Sequence, residues 1–487
     1  MSLTWIALVI TRSFDILPWS VQSSPGCVCS KSTSLTSNTQ VPTANCSDNI
    51  DAVWNISRQT EAIYFSGFRL PNNDVIDLRD IVDNLEELTI TWCHVTSLSD
   101  IFNIGARPRR ALKVDHNDLT QLHNRTFYKV SSLQYLSLSN NKLESIDVDA
   151  FCGLQQLQVL DLSGNKLFNS ESRWLCHLIK LVSLNLRDND LTVLHKSSFQ
   201  NALNLQTLDI GANRIRHIDD FSLLGLSNLI QLYLDDNDLL EVPSGALSHL
   251  TIIEELDLSR NNLKNINRFN ASKLRLLKLN KMKRLQIVDK YSFVELFSLR
   301  RLEMFGNGLR YIDREAFVEL PALETLVLHN NNLDTLDQQV IHSLPSLRSL
   351  DIHSNPFTCD CTSQWIYKLY NSNNNKSVTI VNADRLQCNA SYNLTSMKFY
   401  ESQNMCCGPR VVKLFNSSDL KTSVTDSLDL YCRAAGVPPP RTNWILPKGT
   451  LNKHVNNIIC YSLIMQFIQT FKIIIDFVKY HTKGDHK

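Results

Sequence analysis

The sequence predicts an α/β solenoid, in which short parallel strands stack into one continuous curved sheet with an irregular or short helical segment behind each strand. The chain has 487 residues, which is more than a single compact core usually supports. Its apolar residues return in one frame every 24 residues, and an asparagine keeps its place in that frame. Two clusters of cysteines lie on either side of the periodic region, where the open ends of a solenoid must be covered.

The repeating frame is Leu-x-x-Leu-x-Leu-x-x-Asn-x-Leu. Clear copies occupy residues 133–143, 157–167, 181–191, 229–239 and 323–333. Twelve units fit between residues 76 and 355, and their asparagine slots fall at Cys93, Asn117, Asn141, Asn165, Asn189, Asn213, Asn237, Asn261, Met282, Asn307, Asn331 and Asn355. A coiled coil would not hold an asparagine in register over this length, so the frame predicts a stack of repeats.

The Leu-x-Leu part of each copy alternates inward and outward as a short strand, and stacked copies place these strands in a parallel sheet on the concave side. The buried asparagine amides need hydrogen-bond partners, and the backbone of the same and the neighbouring coil can supply them in a ladder. A second apolar position recurs about ten residues after the slot. It predicts a buried spine on the convex side, formed by Phe127, Phe151, Leu175, Phe199, Leu223, Leu247, Phe293, Phe317 and Ile341.

One junction departs from the period. The slots Asn261 and Met282 are only 21 residues apart, and a methionine cannot donate to the asparagine ladder. We expect a local irregularity in curvature or stability at this junction, and the pattern is compatible with either a hinge or simple sequence drift.

The 13 cysteines predict disulfide bonds, and hence an oxidising compartment. They form CxC pairs rather than the paired CxxC motifs of a tetrahedral zinc site, which favours disulfides over a metal. The two clusters that bracket the repeats are Cys27, Cys29 and Cys46 before them and Cys359, Cys361, Cys388, Cys406 and Cys407 after them.

Cys152 and Cys176 form a separate pair within the repeats. Each lies eleven residues after its asparagine slot, so the two residues should stack on adjacent coils. A disulfide between them is expected if their Cα atoms lie within about 7 Å, and two separately buried thiols are the alternative.

The segment from Asn355 to Trp365, with the sequence NPFTCDCTSQW, resembles the start of the C-terminal cap of extracellular leucine-rich-repeat proteins. The resemblance implies a disulfide between Cys359 and Cys388 and another from Cys361 to either Cys406 or Cys407. Cys27, Cys29 and Cys46 resemble the N-terminal cap of the same family, although that cap usually carries four cysteines.

The segment from Ser427 to Trp444 resembles strands B and C of an I-set immunoglobulin domain, with Cys432 and Trp444 twelve residues apart. The order of repeats, cap and immunoglobulin domain is that of the LRR-Ig receptors of the Lingo, kekkon and Lrig types, and peroxidasin-like proteins share it. No Asp-x-x-x-Tyr-x-Cys strand follows Trp444, so this immunoglobulin unit is expected to be truncated.

These features predict six regions along the chain. They are a signal peptide over 1–24, an N-terminal cysteine cap over 25–75, the repeats over 76–355, a C-terminal cysteine cap over 356–408, a partial immunoglobulin domain over 409–450 and an atypical tail over 451–487. The apolar run at 457–478 contains Lys472 and Asp476, each of which costs about 2.5 to 3.5 kcal/mol inside a membrane span, so membrane anchoring is expected in longer relatives rather than in this chain.

The N-terminal apolar run at 3–10 has the length of a signal-peptide core, which predicts an extracellular protein that is secreted or held at the cell surface. Asn-x-Ser/Thr sequons, which are acceptors for N-glycosylation in secreted proteins, lie at Asn55, Asn124, Asn270, Asn375, Asn389, Asn393 and Asn416.

The outward positions of the strands are the expected ligand-binding surface, because their side chains are not needed for packing in the core. They present an acidic stretch followed by a basic one, with exposed aromatic residues between, which is the composition of a protein-binding hot spot. A solvated polar face is the alternative reading. The candidate binding residues are Asp209, Tyr233, Asp235, Asp257, Lys278, Arg301 and Phe305. A calcium site is not expected, since the acidic residues come from separate strands without a calcium loop.

The LRR-Ig resemblance implies an extracellular receptor or adhesion protein for cell-cell recognition or signalling, with a protein ligand or co-receptor as its partner. Toll-type ectodomains share the same repeats and kind of cap, so an innate-immune pattern-recognition receptor is the alternative. The net charge of +1 provides no electrostatic argument for a nucleic-acid partner. The chain has no nucleophile elbow, phosphate loop or His-Glu-x-x-His motif, so neither an enzyme nor a cofactor is expected.

Overall fold

The structure is a computed structural model that describes residues 26–36, 40–47, 59–67, 84–103, 105–169, 172–266, 268–359, 363–370, 378–389 and 396–398, and five short strands beyond them. The chain divides into two compact units. The first comprises residues 1–331 and 340–350, and the second comprises residues 332–339 and 351–487.

The first unit is built on one main sheet with a strand from each coil. In sheet order the strands are β1 (Gly26–Thr33), β2 (Gln40–Ser47), β3 (Ala62–Ser66), β4 (Glu87–Thr91), β5 (Ala111–Lys113), β7 (Tyr135–Ser137), β9 (Val159–Asp161), β10 (Ser183–Asn185), β12 (Thr207–Asp209), β14 (Gln231–Tyr233), β15 (Glu255–Asp257), β16 (Leu276–Lys278), β18 (Arg301–Glu303), β20 (Thr325–Val327) and β21 (Ser349–Asp351). Strands β1 and β2 are antiparallel, and the pairs from β2 to β20 are parallel. The predicted parallel-sheet solenoid is confirmed.

The segments behind the strands include short helices, as the sequence predicts, and also two-residue strands, which it does not predict. The α-helices are α1 (Leu98–Asn103), α2 (Ser244–Leu247) and α3 (Gln338–His342), and the 3-10 helices are Tyr128–Val130 and Arg173–His177. Three small parallel sheets pair β6 (Gln121–Leu122) with β8 (Ser145–Ile146), β11 (Val193–Leu194) with β13 (His217–Ile218), and β17 (Ile287–Val288) with β19 (Tyr311–Ile312).

The asparagine slots form the predicted ladder of buried amides. Asn213 is representative: its Nδ2 donates to Leu186 O of the preceding coil at 3.0 Å and to Ile210 O of its own coil at 3.1 Å. Its Oδ1 accepts a hydrogen bond from Leu191 N at 3.0 Å. The same pattern recurs at Asn141, Asn165, Asn189, Asn237 and Asn261. One side chain therefore satisfies backbone groups of two coils at once.

The residue immediately before each slot adopts a left-handed backbone conformation, a feature that the sequence analysis did not anticipate. These residues are Trp92, His116, Asn140, Gly164, Asp188, Ala212, Asp236, Arg260, Lys281, Gly306, Asn330 and Ser354. Only two of them are glycine, although each L-residue in this conformation costs roughly 1 kcal/mol. The repeat geometry therefore overrides the local backbone preference at this position.

The convex spine is buried as predicted. Phe127 stacks on Phe151 with ring centroids 5.5 Å apart, and Phe293 lies 5.6 Å from Phe317. Two aromatic residues that the frame did not include extend these stacks, because Trp174 lies 5.3 Å from Phe151 and Phe269 lies 6.3 Å from Phe293. The spine is therefore longer than the repeat frame alone indicates.

The shortened junction is absorbed without breaking the sheet. Strand β16 pairs with β15 through Leu277 and Leu256, which are 21 residues apart, and the next pairing restores the spacing with an offset of 25. Met282 is fully buried in the slot, and its backbone N donates to Asn307 Oδ1 at 2.5 Å. The expected irregularity is therefore confined to the missing side-chain donor and to the segment outside the strands.

Cys152 and Cys176 do not form the predicted disulfide. Both are free, Cys152 half-buried and Cys176 exposed. Cys176 lies in the 3-10 helix Arg173–His177, whereas Cys152 lies in a turn, so the two convex segments have different backbone conformations. Equal spacing from the slot therefore does not by itself produce a disulfide, although burial, Asp149 and the neighbouring thiol of Cys152 all raise the pKa of Cys176. Cys93, which fills the first slot, is also free and buried.

The second unit includes the elements that follow the last repeat, and the cysteine-rich cap as a whole stays a prediction. Its described elements are β22 (Phe357–Thr358), α4 (Gln364–Tyr370), β23 (Thr379–Ile380), the 3-10 helix Ala383–Arg385, β24 (Gln387–Asn389) and β25 (Ser396–Lys398). β24 pairs with β22 in parallel and with β25 antiparallel. A disulfide joins Cys359 to Cys388, with Cα atoms 5.1 Å apart, and Trp365 Nε1 donates to Leu336 O at 2.9 Å.

Five further strands are described near the C-terminus. They are β26 (Arg410–Leu414), β27 (Cys432–Ala435), β28 (Asn443–Leu446), β29 (Gly449–Thr450) and β30 (Lys472–Ile474). β26 and β27 are antiparallel, and β28, which contains Trp444, is antiparallel to both β29 and β30. The immunoglobulin domain stays a prediction.

Several predicted features lie outside the described residues. They are the signal peptide at 1–24, the cysteines Cys361, Cys406 and Cys407, and the sequons at Asn55, Asn375, Asn393 and Asn416. The side chains of Cys27, Cys29 and Asn389 lie outside them as well, whereas Cys46 is disulfide-bonded. The sequons at Asn124 and Asn270 are exposed. In the described part of the chain, no helix has the length and apolarity needed to cross a membrane.

We expect Asn213→Ala to lower the free energy of unfolding by about 3 kcal/mol, because it leaves buried backbone groups of two coils without partners. Urea denaturation followed by circular dichroism measures the loss. Asn204→Ala is the matched control, since Asn204 makes one exposed hydrogen bond to Ile179 O and its loss should cost less than about 1 kcal/mol. Equal losses for the two variants would contradict the role of the ladder.

Candidate binding surface on the main sheet

The outward side chains of the main sheet, here called the sheet face, bring four of the seven predicted binding residues into one row. Asp209, Tyr233, Asp257 and Lys278 occupy successive paired positions on β12, β14, β15 and β16. Strands in a sheet lie about 4.8 Å apart, so the four side chains form a continuous strip. Asp235 lies beside this strip, two residues after Tyr233 on the same coil.

Asp235 is the centre of an ion-pair network that holds the face rigid. It is buried, and Arg187 from two coils away binds it with both guanidinium nitrogens, at 2.9 Å to Oδ1 and 2.7 Å to Oδ2. Arg260 from the next coil donates to Oδ2 as well and lies 3.1 Å from Asp236. Burial by itself would raise the pKa of Asp235, but the hydrogen bonds and charges of the two arginines outweigh it and hold the pKa below its ordinary value.

Gly211 makes room for this network. It lies on the coil between Arg187 and Asp235, and its backbone N donates to Asp209 Oδ1 at 2.9 Å. A Cβ atom at this position would lie 2.3 Å from Arg187 Nη1 and 2.7 Å from Asp235 Oδ1. The absence of a side chain is therefore what allows the guanidinium to pass across the coil and reach Asp235.

Burial opposes the ionisation of three carboxylates of the face. Asp161, Asp209 and Asp257 each accept a hydrogen bond at 2.9 Å from the backbone N–H two residues further along the chain. Burial nevertheless raises the pKa of all three above the ordinary value of an aspartate, despite these hydrogen bonds. Asn185 makes the same hydrogen bond to Arg187 N at 3.0 Å without a charge, so the local structure does not require a carboxylate.

Tyr233 and Lys278 form the second half of the strip. Lys278 Nζ lies 2.9 Å from Glu255 Oε1 and 3.8 Å from Asp257 Oδ2, and it sits 5.8 Å from the centre of the Tyr233 ring. Burial opposes the charge of Lys278, but the hydrogen bond that it donates to Glu255 and the nearby carboxylates raise its pKa. Burial and the same acidic neighbours raise the pKa of Tyr233, which keeps its hydroxyl protonated.

Arg301 and Phe305 lie further along the sheet. Arg301 Nε lies 2.6 Å from Glu303 Oε1 of the same strand, β18. Phe305 is half-buried and stacks on His329 with ring centroids 4.8 Å apart. These two residues extend the face but share no hydrogen bond or ion pair with the network around Asp235 among the described residues.

Sequence reasoning missed Arg187, Arg260 and Gly211 as parts of the site. Arg187 and Asp235 occupy the same outward position two coils apart, 48 residues from one another in sequence. The repeat period could have indicated that Arg187 and Asp235 share a face, because aligning the repeat units places the two residues at the same position. What the period could not indicate is that a long arginine side chain crosses the intervening coil.

The charged groups of this surface are paired and fixed, which suits recognition of a partner by shape and charge rather than a chemical reaction. Hot spots in protein interfaces combine aromatic residues with arginine in a setting that is already ordered. Tyr233, Arg187 and Arg260 provide this combination. The sheet face is therefore a candidate binding surface.

Comparison with known proteins identifies the class of the fold. Residues 110–167, 179–239 and 306–357 match the leucine-rich repeat family. The matched stretches are leucine-rich repeats, and the parallel-sheet solenoid of the first unit is consistent with a leucine-rich-repeat solenoid, a fold typical of non-enzymatic binding proteins. No curated protein matches the chain.

Solved structures share this fold. A complex of TLR13 with ssRNA13 is 19% identical over 74% of this chain, with a TM-score of 0.52, and the chain spans 59% of the length of that protein. A leucine-rich-repeat protein of Leptospira interrogans is 25% identical over 69% of this chain and 89% of its own, also with a TM-score of 0.52. The FLRT2 repeats in a complex with latrophilin 3 and Unc5D are 21% identical over 72% and 90% of the two chains, with a TM-score of 0.47.

We expect Asp161→Asn to raise the free energy of unfolding at pH 7 by on the order of 1 kcal/mol, because it removes a buried charge and keeps the hydrogen bond to Ser163 N. The folded-state pKa of Asp161 is raised, so the ionised form destabilises the fold above that pKa. The gain should shrink as the pH falls through this pKa and vanish below the unfolded value of about 3.9. Urea denaturation between pH 7 and pH 3.5 measures it, and a gain independent of pH would refute the cause.

We expect Gly211→Ala to lower the free energy of unfolding by about 1 to 3 kcal/mol, because the new methyl group displaces the Arg187 guanidinium from Asp235. The matched control is the same substitution in an Arg187→Ala background, where no guanidinium is present to be displaced. A double-mutant cycle from urea denaturation should therefore give a coupling energy above about 0.5 kcal/mol. Additive losses would show that Gly211 acts independently of Arg187.

Proposed function

We propose that this protein is an extracellular receptor or adhesion protein that binds another protein through the sheet face of its leucine-rich repeats. The observation that carries the proposal is the network in which Arg187 and Arg260 bind the buried Asp235. This network fixes two arginines beside Tyr233 before any partner binds. A surface that is ordered in advance loses less conformational entropy on binding.

The cost of the buried charges supports a binding role. Asp161, Asp209 and Asp257 stay on the face although burial raises their pKa values and an asparagine serves equally well at Asn185. Charges that lower the stability of a fold without a local structural need are typical of functional surfaces. The partner would then supply cationic groups that compensate these carboxylates.

The excess of acidic residues on the sheet face favours a protein partner over a nucleic-acid partner. Between β9 and β16 the sheet face carries seven acidic residues, namely Asp161, Asp209, Asp235, Asp236, Glu254, Glu255 and Asp257. Four basic residues lie among them, namely Arg187, Arg260, Arg275 and Lys278. A phosphate backbone requires a basic surface, whereas this surface attracts a partner with basic side chains.

The disulfide between Cys359 and Cys388 and the disulfide-bonded Cys46 support an extracellular location, because such bonds persist in oxidising compartments. Action in cell-cell recognition or signalling, with a protein ligand or co-receptor, follows from the combination of this location with a large rigid binding face.

We expect Tyr233→Ala to weaken partner binding at least about tenfold, because it removes the central aromatic residue of the strip. The full chain is produced in a secretory host, captured on a biosensor and tested against a panel of recombinant cell-surface ectodomains, with single-stranded RNA as a separate analyte. The matched control is Tyr128→Ala, since Tyr128 is 69% exposed on a 3-10 helix away from the sheet.

Binding of an ectodomain that Tyr233→Ala weakens and Tyr128→Ala preserves would support the proposal. Equal effects of the two substitutions would move the binding site off the sheet face. Binding of RNA without any ectodomain would instead favour a pattern-recognition receptor. Thermal unfolding of both variants checks that neither substitution changes the fold.

A further inference from the structure

Two metal-ligating side chains lie buried side by side in the second unit. Asp351 is the last residue of β21, and His353 follows two positions later. Their fractional exposures are 7% and 6%, which is low for ionisable side chains on the outward positions of a strand. The binding surface described above does not use either of them.

Asp351 has one carboxylate oxygen that lacks a hydrogen-bond partner. Asn382 Nδ2 donates to Oδ2 at 3.3 Å, whereas Oδ1 is buried and accepts no hydrogen bond from any described residue. A buried carboxylate oxygen without a partner costs several kcal/mol unless an ion satisfies it. The structure therefore points to a cationic group at Oδ1.

His353 presents its second ring nitrogen to that oxygen. Its Nδ1 lies 2.8 Å from Ser354 Oγ, and its Nε2 lies 3.5 Å from Asp351 Oδ1. When Ser354 accepts the proton of Nδ1, Nε2 carries the lone pair that a metal ion binds. Hydrogen bonds to the nitrogen that does not bind the metal are the usual way in which proteins orient a histidine ligand.

The separation of these two atoms fits a tetrahedral metal ion. Zinc binds histidine nitrogen and carboxylate oxygen at about 2.0 to 2.2 Å, and a tetrahedral angle at these lengths separates the two ligand atoms by about 3.4 Å. The observed 3.5 Å matches this value. Calcium and magnesium prefer sites made of oxygen atoms alone, so the imidazole selects a transition metal of the zinc type.

We propose that Asp351 and His353 bind a divalent transition-metal ion of the zinc class, with Asp351 Oδ1 and His353 Nε2 as ligands. Asn382 and Ser354 hold the two ligands in place. Bound metal stabilises the folded second unit by mass action.

The site is tested on the full chain after removal of metal with a chelator. Isothermal titration calorimetry with zinc chloride at pH 7.5 should detect a site of one equivalent in the wild type that His353→Gln and Asp351→Asn remove. His217→Gln and Asp219→Asn are matched controls, because His217 and Asp219 are also two residues apart, with Nε2 and Oδ1 at 3.1 Å, but are largely exposed. These two variants should keep the site.

Wild-type protein that binds no zinc, or one equivalent of zinc retained in both His353→Gln and Asp351→Asn, would overturn the proposal, as would equal losses in the control variants. Cobalt chloride provides a second measurement on the wild type, which does not depend on the folding of a variant. Tetrahedral cobalt gives intense visible absorption bands, and these should disappear when a chelator removes the metal. The absence of these bands at pH 7.5 would also contradict the site.

Discussion

The stack of coils depends on buried asparagine side chains that supply hydrogen bonds to backbone groups which the short strands leave unpaired. From β5 to β21 each strand of the main sheet has only three residues. The chain therefore leaves the sheet after a few residues, and the carbonyl groups that follow the strand need hydrogen-bond partners inside the core. Asn213 donates to one carbonyl of its own coil and one of the preceding coil, and it accepts a hydrogen bond from an amide of the preceding coil. The equivalent asparagines repeat this pattern along the stack. Stability is therefore shared between neighbouring coils, as expected for a one-dimensional fold.

The same ladder creates the binding surface, because it keeps the coils in register. With coils at fixed offsets, outward residues that are far apart in sequence become neighbours on one face, and a single arginine spans two coils to reach Asp235. The face also retains carboxylates whose pKa values are raised by burial. The fold tolerates these charges since the ladder and the leucine core provide the stability that the charges reduce.

The second unit contains one disulfide and one buried pair of side chains that can bind a metal ion. Cys359 and Cys388 are joined by a disulfide next to the paired strands β22 and β24. Asp351 and His353 form a buried pair with one unsatisfied carboxylate oxygen.

The sequence by itself determined the fold class, the positions of the strands, the asparagine ladder and the convex spine, because each follows from a period that repeats in every unit. It also placed Asp209, Tyr233, Asp257 and Lys278 on one face, since alternation along a strand decides which side chains point outward. Only the tertiary structure revealed the partners of Arg187, the space left by Gly211 and the free state of Cys152 and Cys176. These depend on distances between side chains and on the local backbone of single coils, and a repeat period averages over both.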